Sequence, residues 1–186
     1  MSTRIHLLAG LLLAAAALDA AESLQWESEP GAGELSWSAY YEGEELPGRF
    51  ERFDVAMETD PSGAPSSLTV DVETGSADMR DREINAEIGE PEWFDVSAFP
   101  TARYESQDIR PVGDGFRAYG RLRLKGVEQA LEIPLDWQRD GDAGELSGSI
   151  RLSRQDWNIG TGEWSSDASL SDRVDLRWRV RLVPER

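Results

Sequence analysis

Between positions 78 and 95 the chain carries Asp78, Asp81, Glu83, Glu87, Glu90, Glu92 and Asp95. Carboxylates at this density suggest two chemistries. Two of them at a suitable separation can hydrolyse a glycosidic bond, and a cluster of their oxygens can hold calcium weakly. Composition weighs against both. Thirty-six acidic residues stand against nineteen basic ones, for a formal net charge of −17, so paired carboxylates arise by chance all over the surface. A solvated acidic face is the ordinary outcome of such a composition, and a function needs a convergent site. A carboxylate-based hydrolase is therefore the remote alternative, and Asp95 is expected to tie down its own loop by accepting backbone hydrogen bonds.

Other reactive groups are scarce. His6 is the one histidine and there is no cysteine. Histidine-based triads, zinc sites of the common kinds, iron–sulfur clusters and histidine-ligated haem all need residues that are missing once His6 is set aside. No catalytic residue, metal or cofactor is expected, and no disulfide can support the fold. It must rest on its apolar core.

His6 belongs to an address segment. Arg4 precedes the short apolar run from Leu7 to Leu18, and Ala20 or Ala21 supplies a small residue for cleavage. Residues 1–20 read as a secretory signal peptide, which implies a periplasmic or secreted protein. Residues 21–186 then form one domain, long enough to bury a core. Its acidic surface repels nucleic acid and anionic headgroups. Lys125 is its single lysine.

The elements that position these residues have a period of two. Phe53, Val55 and Met57 alternate with polar neighbours, as do Leu68, Val70 and Val72. Leu35, Trp37, Ala39 and Tyr41 alternate in the same way, and so do Leu146, Gly148, Ile150 and Leu152. Phe116, Ala118, Gly120, Leu122 and Leu124 face Leu131, Ile133, Leu135 and Trp137 across the "KGVEQ" turn, which predicts an antiparallel hairpin. The last strand alternates Val174, Leu176, Trp178, Val180 and Leu182 with charged residues. Each is a half-buried strand. With "TARYESQDI" there are about eight, joined mostly by short turns, and Pro134 marks an edge or bulge.

One segment departs from this period. Met79, Ile84 and Ile88 recur at helical spacing and end on Gly89, predicting a short helix over 79–89. "EWFDVSAFPTARYES" follows, with Trp93, Phe94, Phe99 and Tyr104. Pro100 prevents a long helix there, so the stretch connects the helix to a strand across one end of the sheet. Closing the sheet removes exposed edges, so an all-β, eight-stranded antiparallel barrel with a short helix near one end is expected. Such a barrel is just wide enough to fill itself or to hold one slender ligand. The small inward residues Ala39, Ala118, Gly120 and Gly148 either leave space or merely offset Trp37, Trp137 and Trp178. Alternation alone leaves both open.

Five stretches in order, "LPGRFERFDVAMETDP", "SSLTVDVETGSAD", "EWFDVSAFPTARYES", "YGRLRLKGVEQALEIPLDW" and "LSRQDWNIGTGEW", closely resemble the YceI-like family of exported bacterial, lipocalin-like barrels. The resemblance covers nearly all of residues 21–186. It implies a non-catalytic carrier that holds a polyisoprenoid lipid, a quinone or a prenyl precursor, extended in an apolar tunnel. Where many members carry an Arg-Asp pair in the helical segment, this chain has Ile84 and Asn85, and it lacks the histidine that many carry in the strand before "GRF". That branch resembles members found near or fused to b-type membrane cytochromes, which implies the alternative of a quinone-related accessory domain. A homodimer is left open.

The residues that would line the tunnel and its mouth are Trp37, Phe53, Met57, Val70, Phe94, Phe99, Tyr104, Leu122, Leu124, Trp157 and Trp178. A polyisoprenoid offers almost no hydrogen bonds. Its capture depends on removing apolar area from water at about 25 cal/mol per Å2, so each isoprene unit contributes several kcal/mol gross. Phe94 and Phe99 are expected to close the mouth.

Overall fold

Alternating apolar residues become strands because only one face of each can be buried, and that face curls inward until the sheet meets itself. The computed structural model describes residues 23–166 and 168–185; the expected signal peptide, residues 1–20, lies outside them. The strands are β1 (Leu24–Tyr41), β2 (Glu44–Phe50), β3 (Phe53–Thr59), β4 (Pro65–Glu73), β5 (Ala77–Asp78), β6 (Thr101–Val112), β7 (Gly115–Leu124), β8 (Val127–Asp140), β9 (Ala143–Ser153) and β10 (Arg173–Pro184). Helix α1 (Arg82–Glu87) lies between β5 and β6. Every pairing is antiparallel, and β10 pairs with β1 to close the ring.

β1 is too long for one neighbour. Leu24–Glu27 pair with Ala56–Thr59 of β3, whereas Leu35–Tyr41 pair with Glu44–Phe50 of β2. β2 and β3 thus share one position in the ring, and β5 extends β4 by pairing with β2. The result is the closed eight-stranded antiparallel barrel that the alternation implied. Pro134 pairs with Arg117 of β7, two residues before the β8–β9 ladder starts at Asp136, so its missing N–H interrupts no bond there.

The two ends of the barrel differ. At one end Trp26, Met57, Leu68, Leu146 and Leu182 are fully buried, and Trp26 meets Trp137 edge-on at 5.0 Å. The small inward residues of this half hold no space open. A Cβ on Gly148 would lie 2.3 Å from the Trp178 ring, and one on Gly120 would lie 2.7 Å from the Tyr104 hydroxyl. Ala118 is completely buried in the same packed cluster. These positions accommodate aromatic rings. Ala39 alone among the four borders open space, at the opposite end.

The helix is shorter than the expected 79–89. Asn85 is the reason. Its Oδ1 accepts from Met79 N at 2.7 Å while its Nδ2 donates to Asp78 at 3.0 Å, which holds 78–80 as a turn, with Arg80 at φ +59°. Asp81 then caps α1, accepting from Glu83 N and Ile84 N at 2.9 and 3.1 Å. Asn85 therefore sets where the helix begins.

Candidate functional site: an apolar cavity at the helical end

At the end away from the Trp26 cluster, inward side chains stop short of one another and leave a cavity of about 370 Å3. β1 contributes Leu35, Trp37, Ala39 and Tyr41, and β2 contributes Leu46 and Phe50. Val72, Ala102, Leu122, Leu124, Leu152, Val174 and Leu176 complete the strand wall. Two connectors roof it. The first supplies Met79, Ile84, Ile88, Trp93 and Phe94; the second, between β9 and β10, supplies Trp157, Ile159, Trp164 and Leu170. Polar lining residues are few: Glu87, Ser153 and Arg154. A concave apolar surface with a few polar groups is the usual character of a small-molecule site.

The roof is stitched together by its backbone. Gly160 N and Thr161 N both donate to Glu92 O, at 2.8 and 3.0 Å, and the Trp93 and Trp164 rings lie 5.6 Å apart. Phe94 N donates to Ile88 O at 3.0 Å, and the Phe94 ring meets Phe50 and Trp37 at 5.7 and 6.4 Å. Trp157 Nε1 donates to Leu122 O at 3.2 Å, and Lys125 Nζ donates to Asn158 O at 2.8 Å. Partial burial pushes the Lys125 ammonium below its ordinary pKa. The connector between α1 and β6 is tied by the Asp95 carbonyl, which accepts from Ala98 N and Phe99 N. This corrects the expectation for its carboxylate, which instead accepts from the Ser97 hydroxyl at 3.3 Å.

Arg154 organises the second connector. It is 5% exposed, and its guanidinium donates to Ser171 O, Ile159 O, Gly160 O, Trp164 O and Leu170 O at 2.7–3.0 Å. Those bonds engage all five of its N–H groups. A buried charge is tolerated where its donors are met in this way. Sequence reading did not single out Arg154; the available signal was an arginine between an apolar strand and Trp157.

Trp37, Phe94, Leu122, Leu124 and Trp157 border the cavity. The other candidates lie elsewhere. Met57 and Tyr104 belong to the packed cluster, where burial raises the Tyr104 pKa far above normal. Phe53, Val70 and Trp178 pack against both the closed-end cluster and the Leu35–Val72–Ala102 cluster, forming the floor between core and cavity. Phe99 turns away from the mouth and sits on the β7–β8 turn, where a Cβ on Gly126 would lie 2.7 Å from its ring. Alternation places all of the strand residues inside, but it carries no information about height along the barrel.

Of the acidic stretch 78–95, only Glu87 borders the cavity. Among the described residues no three His, Cys, Asp or Glu side chains converge in a way that could hold a metal. On the outer wall a shallow depression is lined by Arg103, Glu105, Gln107, Arg121, Arg123 and Glu128, a lattice of surface ion pairs.

A closed antiparallel barrel, packed at one end and holding a roofed apolar cavity at the other, defines a small lipocalin-like protein. The YceI-like domain matches residues 26–182, and the chain belongs to that family. The UPF0312 proteins of Yersinia pestis (strain Pestoides F) and Vibrio cholerae serotype O1 (strain M66-2) are each 31% identical to it, over 125 and 126 residues. Those alignments cover 62% and 61% of this chain, and 64% and 65% of the two relatives' own lengths. Three solved structures share the fold. Burkholderia cenocepacia BcnA superposes with a TM-score of 0.78 at 23% identity, covering 83% of this chain and 98% of its own. The Campylobacter jejuni YceI protein gives 0.69 at 16% identity, with 77% and 86% covered. A polyisoprenoid binding domain from Saccharophagus degradans, implicated in plant cell wall breakdown, gives 0.69 at 12% identity, with 87% and 99% covered.

Proposed function

We propose that this protein is an exported, non-catalytic carrier that shields the tail of a polyisoprenoid lipid from water. The observation that carries this reading is the apolar cavity of about 370 Å3 between β1, β7, β10 and the two roof connectors. Its wall is aliphatic and aromatic, so it suits a ligand captured by burial of hydrocarbon. The fold shared with a polyisoprenoid binding domain supports the same class of ligand. A single carboxylate in the lining, Glu87, does not provide the pair that glycoside hydrolysis requires. Export follows from the apolar segment at residues 7–18. An accessory domain that hands quinone to a b-type membrane cytochrome would use the same cavity and differ only in its partner.

The test is gentle purification from the native compartment, organic extraction and mass spectrometry. A prenyl lipid recovered near one per protein is the expected result. Recovery of no lipid, together with failure of the delipidated protein to bind a fluorescent prenyl probe, would overturn the proposal.

A further inference from the structure

Among the described residues, the large hydrophobic side chains that stand exposed are Tyr41 and Ile84, each 37%, and Val112. Tyr41, at the end of β1, and Ile84, in α1, both border the cavity, as does the half-buried Leu46 of β2. Exposed apolar side chains gathered at one place mark a contact surface. The segments that carry this rim also carry the exposed Glu42, Glu44, Glu45, Glu83 and Glu87, and Glu163 precedes Trp164 in the second connector. Acidic residues on the barrel wall are met by arginines, as Glu128 is by Arg121 and Arg123 and Asp175 by Arg151 and Arg173. None of the six mouth glutamates forms an ion pair among the described residues. Apolar contact area and uncompensated negative charge thus occur together at the mouth.

The charge decides what can cover this rim. An anionic bilayer is repelled by the unpaired carboxylates, and a second copy set mouth to mouth brings the same six charges against them. Extension of the sheet by an added strand is also disfavoured. β2 has no strand on its outer side from Glu44 to Gly48, since β5 pairs only with Arg49 and Phe50, but Pro47 has no N–H to offer there. The complementary surface is one that carries apolar side chains and cations side by side. An amphipathic helix with Lys or Arg flanking its apolar stripe has that pattern, and a helix laid in an apolar groove is a common mode of recognition.

We infer that the cavity mouth is a docking surface for a basic amphipathic helix of a protein partner. The apolar stripe of that helix rests on Tyr41, Leu46 and Ile84, and its cations meet the glutamates of the β1–β2 turn and of α1. The inference rests on the carrier function proposed above only for the purpose of the contact: cargo handed over beneath a docked partner does not cross water.

The test is calorimetric titration of the purified protein with a synthetic amphipathic helix that carries leucine on one face and lysine on the other, beside a scrambled peptide of the same composition. The helix binds at low salt, and the scrambled peptide binds about ten-fold more weakly because its leucines no longer share a face. Glu42→Gln/Glu44→Gln/Glu87→Gln weakens the helix about ten-fold, and added salt removes most of that difference. Asp114→Asn/Asp140→Asn/Asp142→Asn makes the same change in charge at exposed turns of the packed end and leaves binding within about two-fold. Tyr41→Ser/Ile84→Ser also weakens the helix about ten-fold, whereas Val112→Ser, exposed at the packed end, does not. Circular dichroism confirms that each variant is folded. Equal weakening by the two charge variants, or equal binding of the two peptides, would show attraction to net charge alone and overturn the docking surface. So would absence of binding at low salt, a dimer in sedimentation that Tyr41→Ser/Ile84→Ser dissolves, or flotation with phosphatidylcholine or phosphatidylglycerol vesicles that the same variant abolishes. No lipid cargo enters these titrations, so their failure removes the docking surface and leaves the carrier function to its own test.

Discussion

The Tyr40 hydroxyl donates to Oδ2 of Asp175 at 2.9 Å, across the β1–β10 seam that closes the barrel. Arg173 bonds the same carboxylate from its own strand, and Arg151 reaches it from β9 at 3.0 Å. Three adjoining strands thus converge on one carboxyl, only 14% exposed, at the cavity end of the seam. The Arg173 guanidinium, with Arg151 and the Tyr40 hydroxyl, holds Asp175 well below the usual carboxylate range, and the bond to Asp175 raises the Tyr40 pKa.

A pH dependence follows. The folded protein binds a proton at Asp175 more weakly than the unfolded chain, whose carboxyl titrates at about 3.9. The stabilisation is fully present above about pH 4 and is lost as the pH falls toward the folded value. Asp175→Asn should therefore lower the urea midpoint at pH 7, with a smaller gap from wild type at pH 3. An equal gap at both pH values would rule out the charged network as its source.

Leu122 and Arg121 are neighbours in sequence on opposite faces of β7. Leu122 borders the cavity, while Arg121 Nε bonds Glu128 at 2.5 Å on the outer wall. Leu122→Gln should cut retention of a prenyl probe and cost on the order of 1–3 kcal/mol for an inward polar group. Arg121→Gln should leave retention unchanged and shift stability by no more than about 1 kcal/mol. Circular dichroism with each retention assay keeps folding and binding apart.

Phe94 and Phe99 should separate in the same way. Phe94 meets Phe50 and Trp37 at the cavity, so Phe94→Ala should speed dissociation of a prenyl probe. Phe99 packs on the β7–β8 turn, so Phe99→Ala should cost about 2 kcal/mol while leaving the dissociation rate alone. Stopped-flow release beside the unfolding midpoint of the delipidated variants measures both. Faster release from Phe99→Ala alone would reverse the assignment.

Arg154 should be sensitive even to conservative change. Arg154→Met leaves the carbonyls of the second connector without their donor and should cost about 3–5 kcal/mol. Arg154→Lys should rescue little, since an ammonium cannot reproduce the planar fork. Hydrogen exchange should localise the loss to 159–171, and protection unchanged there would remove Arg154 as the organiser.

Much of the barrel was legible in the sequence. Alternation in "GFRAYGRLRL" and "RVDLRWRVRLV" identifies inward and outward faces because successive strand side chains must point to opposite sides. Ile84 and Ile88 marked the roof helix by spacing. Missing cysteine and a lone histidine narrowed the available chemistry before any fold was known.

Which end of the barrel is hollow was decided by tertiary packing. Val70 and Val72 share a face of β4 and look alike in sequence, yet Val70 is floor and Val72 is cavity wall. Their difference depends on what packs beside each of them: glycines at 120 and 148 admit the large groups of Tyr104 and Trp178 below, while two roof connectors stop short of the strands above. Phe94 and Phe99 fall on one short connector and separate because the chain turns at Asp95, with φ +48°. Arg154 becomes an organiser only when residues 159–166 and 168–171 fold back over its guanidinium. Period-two order is a property of single strands and can be read along the chain. Height in the barrel and the unfilled volume depend on side chains far apart in sequence, and folding alone brings those together.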